Sequence, residues 1–393
     1  TMAPQNRRPL VSHTKPGAKY LAQLRKRYAK SSKKNKIAIL NEFVATTGYH
    51  RKHASTLLSG KRHWRDPQVP LHRARRARYT AEDQRALLQL VELFDDIGSK
   101  RVRVALDTEL ANLRRNGHLK VSRHCYEHLG TVSPSTMDRW RRAARRPGRK
   151  LRGGTKPGTL LKHQIPIRTF AEWDDKRPGF GEMDLVQHAG GTTKGDFACT
   201  LTFTDVVTSW TELAATRNKA QVNVFAALET ERARLPFPLL GLDSDNGAEF
   251  INDELKRYCE REQITFTRAR VGRKNDQAFV EEKNWSVVRR LVGYGRYDTP
   301  KQIAQLNALY PVYCLYFNHF LPVTKLVKTE RHGSRLKKIY DKPKTPYQRV
   351  LDAPEVSDVL KAKLRRAHAK LDVFVLKRHV DELVAALKPT RQW

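Results

Sequence analysis

Between residues 180 and 292 the chain alternates between the two-residue hydrophobic period of β-strands and the 3.6-residue period of α-helices. The segments follow one another as three strands, a helix, a strand, a helix, a strand and a helix. This order predicts a mixed β-sheet flanked by helices. The predicted strands are 181–186, 198–207, 211–215, 239–245 and 264–268, and the predicted helices are 218–235, 248–263 and 278–292.

Three acidic residues stand within this region at strand or helix ends. Asp184 lies in the first strand, Asp245 ends the fourth, and Glu281 begins the last helix after 35 intervening residues. Two divalent cations about 4 Å apart can activate water or a 3′-hydroxyl and stabilise the leaving oxygen of a phosphodiester. Mg²⁺ prefers hard oxygen ligands, and Mn²⁺ can replace it. We therefore expect two ions per site, with Asp184 bridging both and Asp245 and Glu281 each completing one.

Two neighbouring carboxylates compete for these roles. Asp243 is two residues before Asp245 and faces the same side of its strand, but Asn-Gly follows only Asp245. The Asn-Gly pair favours Asp245. Glu282 points about 100° away from Glu281 on a helix. Glu281 is favoured because Asn284, three residues later, matches the Glu-x-x-Asn motif of the family that this region resembles.

Two other polar residues near the triad receive structural interpretations. Asp205 is predicted to be a turn or surface acid at the hairpin after the second strand. His188, four residues after Asp184, could contact DNA, but a structural histidine is the favoured interpretation.

The residues around the triad carry a resemblance to a known family. Asp-Asn-Gly-Ala-Glu-Phe starts at Asp245, and Asp-Gln-Ala-Phe-Val-Glu-Glu-Lys-Asn ends at Asn284. With Asp184 and the strand order, these motifs resemble the retroviral-integrase-like DDE superfamily of transposases and integrases, of the bacterial insertion-sequence type, over about residues 170–295. The resemblance implies an RNase H-like core and a homo-oligomer assembled on paired DNA ends.

The charge of the chain indicates a polyanionic partner. Lys and Arg number 76 against 40 Asp and Glu, a net charge of +36. Residues 1–163 hold 38 of these cations and 11 of the acids, so the excess is concentrated at the front. Such an excess of positive charge indicates a nucleic-acid partner and carries no information about the fold. We expect double-stranded DNA as the partner, both the terminal inverted repeats of an element and its target.

The first cationic segment is predicted to be a helix-turn-helix. Helices are expected at 17–30, 33–46 and 50–58, with Ile37, Leu40 and Val44 on one apolar face. Thr-Gly-Tyr supplies the turn, and Arg51 and Lys52 begin the DNA-reading helix. The alternative is an ordinary helical hairpin with a solvated basic face.

A second helical set follows, and its last helix has the pattern of a DNA-reading helix. Ser133 is the predicted N-cap and Pro134 the first helical residue. Met137, Trp140 and Ala144 are expected to point inward. The residues expected to face the major groove are Ser135, Arg139 and Arg142.

Other cations are predicted to contact phosphates. A linker rich in Gly, Pro and basic residues contains Arg149, Lys150 and Arg152, and is either a DNA-bound arm or a solvated tether. Lys283 and Arg289 on the last helix are further candidates for phosphate contacts. The alternative is that they belong to a basic face exposed to solvent.

The C-terminal part is less informative. Residues 302–320 form an aromatic-rich helix expected to pack on the core, 325–344 a basic loop, and 355–387 a helical region. No strand set for a small β-barrel is evident, so DNA binding and subunit contact both remain open roles.

The predicted domains are therefore helical DNA-binding modules, a catalytic core and a C-terminal region. Their bounds are 1–65 and 66–146 for tandem helix-turn-helix domains, 147–169 for the basic linker, 170–297 for the α/β RNase H-like DDE domain, and 298–393 for the mostly helical C-terminal region. The four cysteines are unpaired in spacing, and no apolar run of 18 residues or N-terminal apolar segment occurs. We expect a cytoplasmic, nucleoid-associated protein without a membrane partner.

The function expected from these features is DNA transposition. The helical modules would bind the terminal repeats, and the catalytic domain would cleave the ends and join 3′-hydroxyls to target DNA. Two alternatives remain: an RNase H-like nuclease without strand transfer, and a domesticated DNA-binding regulator with an inactive core.

Overall fold

A computed structural model describes residues 17–60, 78–144, 177–244, 247, 249–250, 253–268, 278–332 and 335–390. Its contacts divide the chain into two compact units, Thr1–Arg78 and Tyr79–Trp393.

The described part of the first unit consists of three helices, α1 (Ala18–Lys30), α2 (Lys33–Thr47) and α3 (Arg51–Leu58). The Ser32 side chain caps α2 by accepting a hydrogen bond from the Asn35 amide. Gly48 ends α2 with φ of 68°, the left-handed conformation that glycine adopts at low cost. The three predicted helices of this segment are thus present.

A small apolar core holds these helices together. Its buried members are Leu21, Leu24, Ile39, Leu40, Phe43, Ala54, Leu57 and Leu58. The prediction that Ile37 points inward is wrong, since 47% of its surface is exposed. Ile39 lies about 200° around the helix from Ile37, and it is the Ile39 side that faces α1 and α3.

The second unit begins with four helices, α4 (Ala81–Leu93), α5 (Ser99–Arg115), α6 (Arg123–Thr131) and α7 (Pro134–Ala144). A capping box between Thr80 and Asp83 starts α4. The apolar sides of these helices share one hydrophobic core with the C-terminal helices of the same unit. The four helices therefore pack on the body of the unit.

The inward side of α7 differs from its prediction. Met137 is fully buried and Trp140 is half-buried, but Ala144 is exposed. Arg141 is buried in its place, because its guanidinium donates to the Ile97 carbonyl at 2.6 Å and to the Asp96 carbonyl at 2.8 Å. These bonds compensate the desolvation of the charge.

The centre of the second unit is a five-stranded mixed sheet. Its strands are β1 (Phe180–Gln187), β2 (Cys199–Asp205), β3 (Thr211–Thr216), β4 (Gly241–Ser244) and β5 (Thr265–Arg268). Their order is β3-β2-β1-β4-β5, with antiparallel pairing among β1, β2 and β3 and parallel pairing of β4 with β1 and β5. The predicted mixed sheet is confirmed.

Helices cover both faces of this sheet. One face contributes Met183, Leu201, Phe203 and Ala214 to a core shared with α8 (Gln221–Arg232) and α9 (Asp253–Arg261). The other face packs against α12 (Pro300–Phe320), whose Tyr310, Tyr313, Tyr316 and Phe317 are buried. The prediction that these aromatics pack on the core is confirmed.

The helix predicted at 278–292 packs against the sheet, and the structure divides it into three parts. They are α10 (Ala278–Lys283), a π-helical segment (Asn284–Arg289) and α11 (Arg290–Val292). Single π-turns inside α-helices occur frequently at functional sites.

The C-terminal region contains an unexpected hairpin. Antiparallel strands β6 (Leu326–His332) and β7 (Arg335–Tyr340) occupy the segment that was predicted to be a loop. Its basic composition suggested a loop, whereas Val327, Ile339 and Tyr340 are residues that favour strands. Three helices follow: α13 (Pro346–Asp352), α14 (Asp358–His368) and α15 (Val373–Ala386).

The prediction that Asp205 is a turn acid is confirmed, but the alternative of a surface acid is wrong. This residue ends β2 and is fully buried, where it accepts hydrogen bonds from the Gly179 amide at 2.8 Å and from the Thr208 amide at 2.7 Å. It therefore fixes the turn from inside the protein. Across the described ranges, no helix is long and apolar enough to span a bilayer.

Candidate active site

The predicted acidic residue Asp184 lies on the central strand of the sheet. Its strand, β1, is paired with β2 on one side and with the parallel strand β4 on the other. The β1–β4 ladder reaches Met183 opposite Ser244, one residue before Asp184. The half-buried Asp184 side chain thus lies one residue beyond the last described residue pair of β1 and β4, while β1 itself continues to Gln187. Asp245, the next predicted ligand, lies outside the described residues.

A hydrogen bond joins Asp184 to the helix that carries Glu281. The Asn284 side-chain amide donates to Asp184 Oδ2 at 2.6 Å, and the Leu185 backbone amide donates to Asp184 Oδ1 at 2.7 Å. Glu281 is exposed and lies one helical turn before Asn284. The bond from Asn284 therefore holds Glu281 on the side of the sheet where Asp184 lies.

A second bond ties the same helix to β1, and the sequence analysis did not identify it. The fully buried Glu182 accepts a hydrogen bond from the Val280 amide at 2.9 Å, directly before Glu281. A carboxylate near a helix N-terminus is also favoured by the helix dipole. The available signal was the two-residue strand period, which places Glu182 on the same face as Asp184.

Asp243, a competitor of Asp245 in the sequence, serves a structural contact. Asp243 is fully buried in β4 and accepts a hydrogen bond from Thr267 Oγ1 on β5 at 2.6 Å. It lies opposite Glu182 in the parallel ladder, one layer below Asp184. The contact with Thr267 links β4 to the edge strand.

Glu282, the competitor of Glu281, pairs with its neighbours along the helix. It forms an ion pair with Lys283 and accepts a hydrogen bond from Ser286 Oγ at 3.0 Å. Burial would raise the pKa of Glu282, but the Lys283 ammonium and the bonds from Lys283 and Ser286 hold it below its ordinary value. The charge of Glu282 is thus committed to Lys283.

The two cations predicted on this helix face protein groups. Lys283 is only 3% exposed, and its ammonium lies 5.7 Å from the centre of the Phe317 ring as well as beside Glu282. Burial lowers its pKa, against the opposing influence of Glu282. Arg289 donates to the Gln187 carbonyl at 2.9 Å and lies 4.8 Å from the Tyr294 ring centre. Both side chains therefore bind the helix to the rest of the unit.

His188 is part of the support beneath the candidate site. It is fully buried, and its Nε2 lies 2.7 Å from Thr200 Oγ1, which in turn contacts the Tyr310 hydroxyl at 2.5 Å. Burial lowers its pKa to about 3, so it is neutral at physiological pH. This is the structural histidine that the sequence favoured.

The predicted DNA contacts on the helical modules are at the surface. Their exposed members are Arg51, Lys52, Ser135, Arg139 and Arg142. The linker candidates Arg149, Lys150 and Arg152 lie outside the described residues. Exposure leaves the five described side chains accessible to a ligand but does not identify that ligand.

The donor chemistry at the candidate site suits a hard divalent cation. Asp184 and Glu281 offer carboxylate oxygens, which Mg²⁺ prefers. Within the described ranges, which omit Asp245, no group of three His, Cys, Asp or Glu side chains could hold a metal ion. A complete site thus requires a further ligand from the omitted positions, and Asp245 is the sequence candidate.

Comparison with known proteins agrees with this arrangement. Residues 174–274 match the model of the integrase core domain family. An uncharacterized protein of Sinorhizobium fredii is 40% identical over 326 residues, which is 82% of this chain and 91% of that protein. The similarity therefore extends well beyond the sheet.

Solved retroviral structures are also similar at a low level. The catalytic core of BIV integrase is 16% identical, covers 43% of this chain and 91% of its own, and has a TM-score of 0.28. The HTLV-2 integrase catalytic core in complex with magnesium, in its dimeric form, is 15% identical, with 37% and 90% covered and a TM-score of 0.28. At such TM-scores these superpositions support no inference.

The family match covers β1 to β5, the strands that position Asp184 and the described neighbours of the candidate site. An integrase core domain suggests polynucleotidyl transferase activity. The chain belongs to the integrase-core family, within the retroviral-integrase-like superfamily of DDE transposases and integrases.

Proposed function

We propose that this protein is a DNA transposase. It binds the terminal inverted repeats of a mobile element, cleaves at the element ends, and joins the 3′-hydroxyls to target DNA. The observation that carries the proposal is the bond from Asn284 to Asp184, which holds the Glu281 helix against the strand of the first carboxylate in an integrase-core protein.

The proposed ligand set is Asp184, Asp245 and Glu281. These three carboxylates would together hold the two ions when they are bound. Bound Mg²⁺ or Mn²⁺ supplies Lewis-acid activation of the attacking oxygen and stabilisation of the leaving oxygen. The contribution of the protein is to fix the carboxylates in advance, through Asn284 on Asp184 and Glu182 on the start of α10.

DNA recognition is assigned to the helical modules. The net charge of +36 favours binding to phosphates, and the exposed side of α7 presents Ser135, Arg139 and Arg142. Arg51 and Lys52 on α3 and the linker cations add contacts. Because two ends must be joined, a homo-oligomer on paired ends forms part of the proposal.

The decisive experiment uses the genomic DNA that flanks the gene as donor. The donor is incubated with the protein, a target plasmid and Mg²⁺ or Mn²⁺, and new junctions are sequenced. E281Q is the test variant, and E229Q, on an exposed position of α8, is the matched control. Junctions that need metal and Glu281, with a fixed target duplication, would support the transposase. Nicks without junctions would favour the nuclease. DNA binding with neither nicks nor junctions would favour the regulator.

Recognition is tested separately by two Arg-to-Ala changes. R139A should weaken preference for the terminal sequence by about 1–3 kcal/mol, because a base-edge contact carries specificity. R149A should weaken binding to all DNA and reduce the dependence of affinity on salt. Equal effects of the two changes on terminal and random DNA would contradict this division of roles.

A further inference from the structure

Trp285 is an exposed tryptophan beside the candidate active site. It follows Asn284 directly, and 62% of its surface is exposed, whereas Val287 and Val288 in the same π-helical segment are buried. An indole gains free energy from burial, so leaving it in water forfeits that stabilisation. Its exposure calls for a partner outside the described fold.

The position of Trp285 relative to Glu281 is fixed by helix geometry. Four residues make about one helical turn and rise by at most about 6 Å along the axis, since Trp285 belongs to the wider π-helical segment that begins at Asn284. Both side chains are exposed, so the indole flanks the Glu281 carboxylate on the same side of the helix.

Two adjacent residues of the π-helical segment point in different directions. Asn284 turns toward β1 and donates to Asp184, while Trp285 turns toward solvent. Segments of this kind are found frequently at functional sites because they change the direction of a side chain within one turn.

The surroundings of the indole favour a planar, polar-edged partner. Glu281 and Glu282 are exposed on the same helix, and Ser286 follows directly, so the described side chains next to Trp285 along the exposed side of the helix are polar. Protein partners usually need a contiguous apolar patch. A nucleobase needs only one aromatic face, since every base can stack on it.

We propose that Trp285 stacks on a nucleobase of the DNA strand whose phosphate lies at Asp184 and Glu281. The proposal rests on the function proposed above. Successive bases of one strand are about 3.4 Å apart, so a separation of about 6 Å places the stacked base within two nucleotides of that phosphate. A base inside a duplex is covered on both faces, so the base bound by Trp285 is unpaired.

The test compares two DNA probes of the same random sequence without divalent metal, one fully paired and one with an unpaired 3′ overhang. W285A and W285L should bind the overhang probe roughly tenfold more weakly and the paired probe about as well as the unaltered protein. W285F should retain the preference, because phenylalanine keeps an aromatic face. V359A, which alters an 80% exposed valine on α14, is the matched surface control.

A structural readout accompanies the affinities. With 5-iodouracil as the unpaired base, ultraviolet cross-linking should join the DNA to Trp285, as identified by mass spectrometry. Unchanged thermal unfolding of W285A would show that the fold is intact, and W285L serves if W285A fails to fold.

Equal weakening on both probes, no weakening, or a cross-link to another residue would overturn the stacking. Metal-dependent junctions made by the unaltered protein and their loss in E281Q judge the proposed function independently. Junctions without an overhang preference would therefore overturn the role of Trp285 alone.

Discussion

The sheet carries acidic side chains beside its central strand and at its β3 edge, and their environments are opposite. Beside the central strand β1, Asp184 is half-buried and Glu281 is exposed. At the β3 edge, Glu212 is 3% exposed and Glu231 on α8 is 1% exposed, both beside Arg234. Burial raises the pKa of Glu212 to about 7 and that of Glu231 well above its ordinary value.

The difference shows what makes a carboxylate available for metal binding. Glu212 accepts a hydrogen bond from Trp210 Nε1 at 2.9 Å and pairs with Arg234, so it belongs to the core of the protein. Asp184, on the central strand, is instead held from one side by Asn284. The carboxylates at the β3 edge thus support the fold, whereas those beside the central strand are more accessible to a ligand.

The largest expected effect is the loss of chemistry at the candidate site. D184N, D245N and E281Q should each lower metal-dependent cleavage and joining by roughly 10³-fold or more, since each removes a proposed metal ligand. Specific DNA binding, measured by gel shift, should stay largely intact. Loss of binding in all three would count against the assignment.

E282Q distinguishes the two adjacent glutamates. It should retain most activity but lower Tm by a few degrees, because the buried Lys283 loses its partner. If E282Q lost as much activity as E281Q, the assignment of Glu281 rather than Glu282 as the metal ligand would be contradicted.

Loss of the bond between Asn284 and Asp184 should have the next largest effect. N284A should lower the rate about 10- to 100-fold, as expected when the support of a metal ligand is removed. The N284A variant should also need a higher metal concentration than the unaltered protein to reach half of its maximal rate. A titration with Mn²⁺ measures this, and an unchanged titration would argue that Asn284 does not position Asp184.

Glu182 provides a smaller test of the same site. E182Q keeps an acceptor for the Val280 amide and should stay within about tenfold of full activity, whereas E182L removes the acceptor and should lose more. Equal losses in both variants would mean that the charge of Glu182, and not its hydrogen bond, is what matters.

The smallest effect concerns the buried edge and pH. The folded pKa of Glu212, about 7, lies above its ordinary value of 4.5, so the stability present below pH 4.5 is lost as pH rises toward 7. Burial lowers the pKa values of His188 and His319 to about 3. Their contribution to stability is therefore present above pH 6.5 and is lost as the pH falls, which is opposite to the effect of Glu212. The Tm of E212Q minus that of the unaltered protein should therefore increase between pH 5 and pH 8. A constant difference would contradict a protonated Glu212.

Much of the architecture could be predicted because it depends on local periodicity. The strand and helix order, the three described helices of the first unit and the inward Met137 follow from neighbouring residues. The hairpin of β6 and β7 was missed because a run of basic residues obscured its strand-forming ones. The exposure of Ile37 was missed because apolar residues lie on nearly opposite sides of α2, so the local pattern does not decide which side is buried.

The sequence by itself determined the order of the elements and the places of Asp184 and Glu281 within them, since both follow from short-range patterns and one spacing. Only the tertiary structure decided which charges are buried. Asn284 meets Asp184 across 100 residues, and Glu182 meets Val280 across 98. Arg141 is buried because the distant Ile97 and Asp96 carbonyls accept its hydrogen bonds, and Lys283 because the distant Phe317 ring covers it beside the adjacent Glu282. Such partners are set by packing, which no local pattern records.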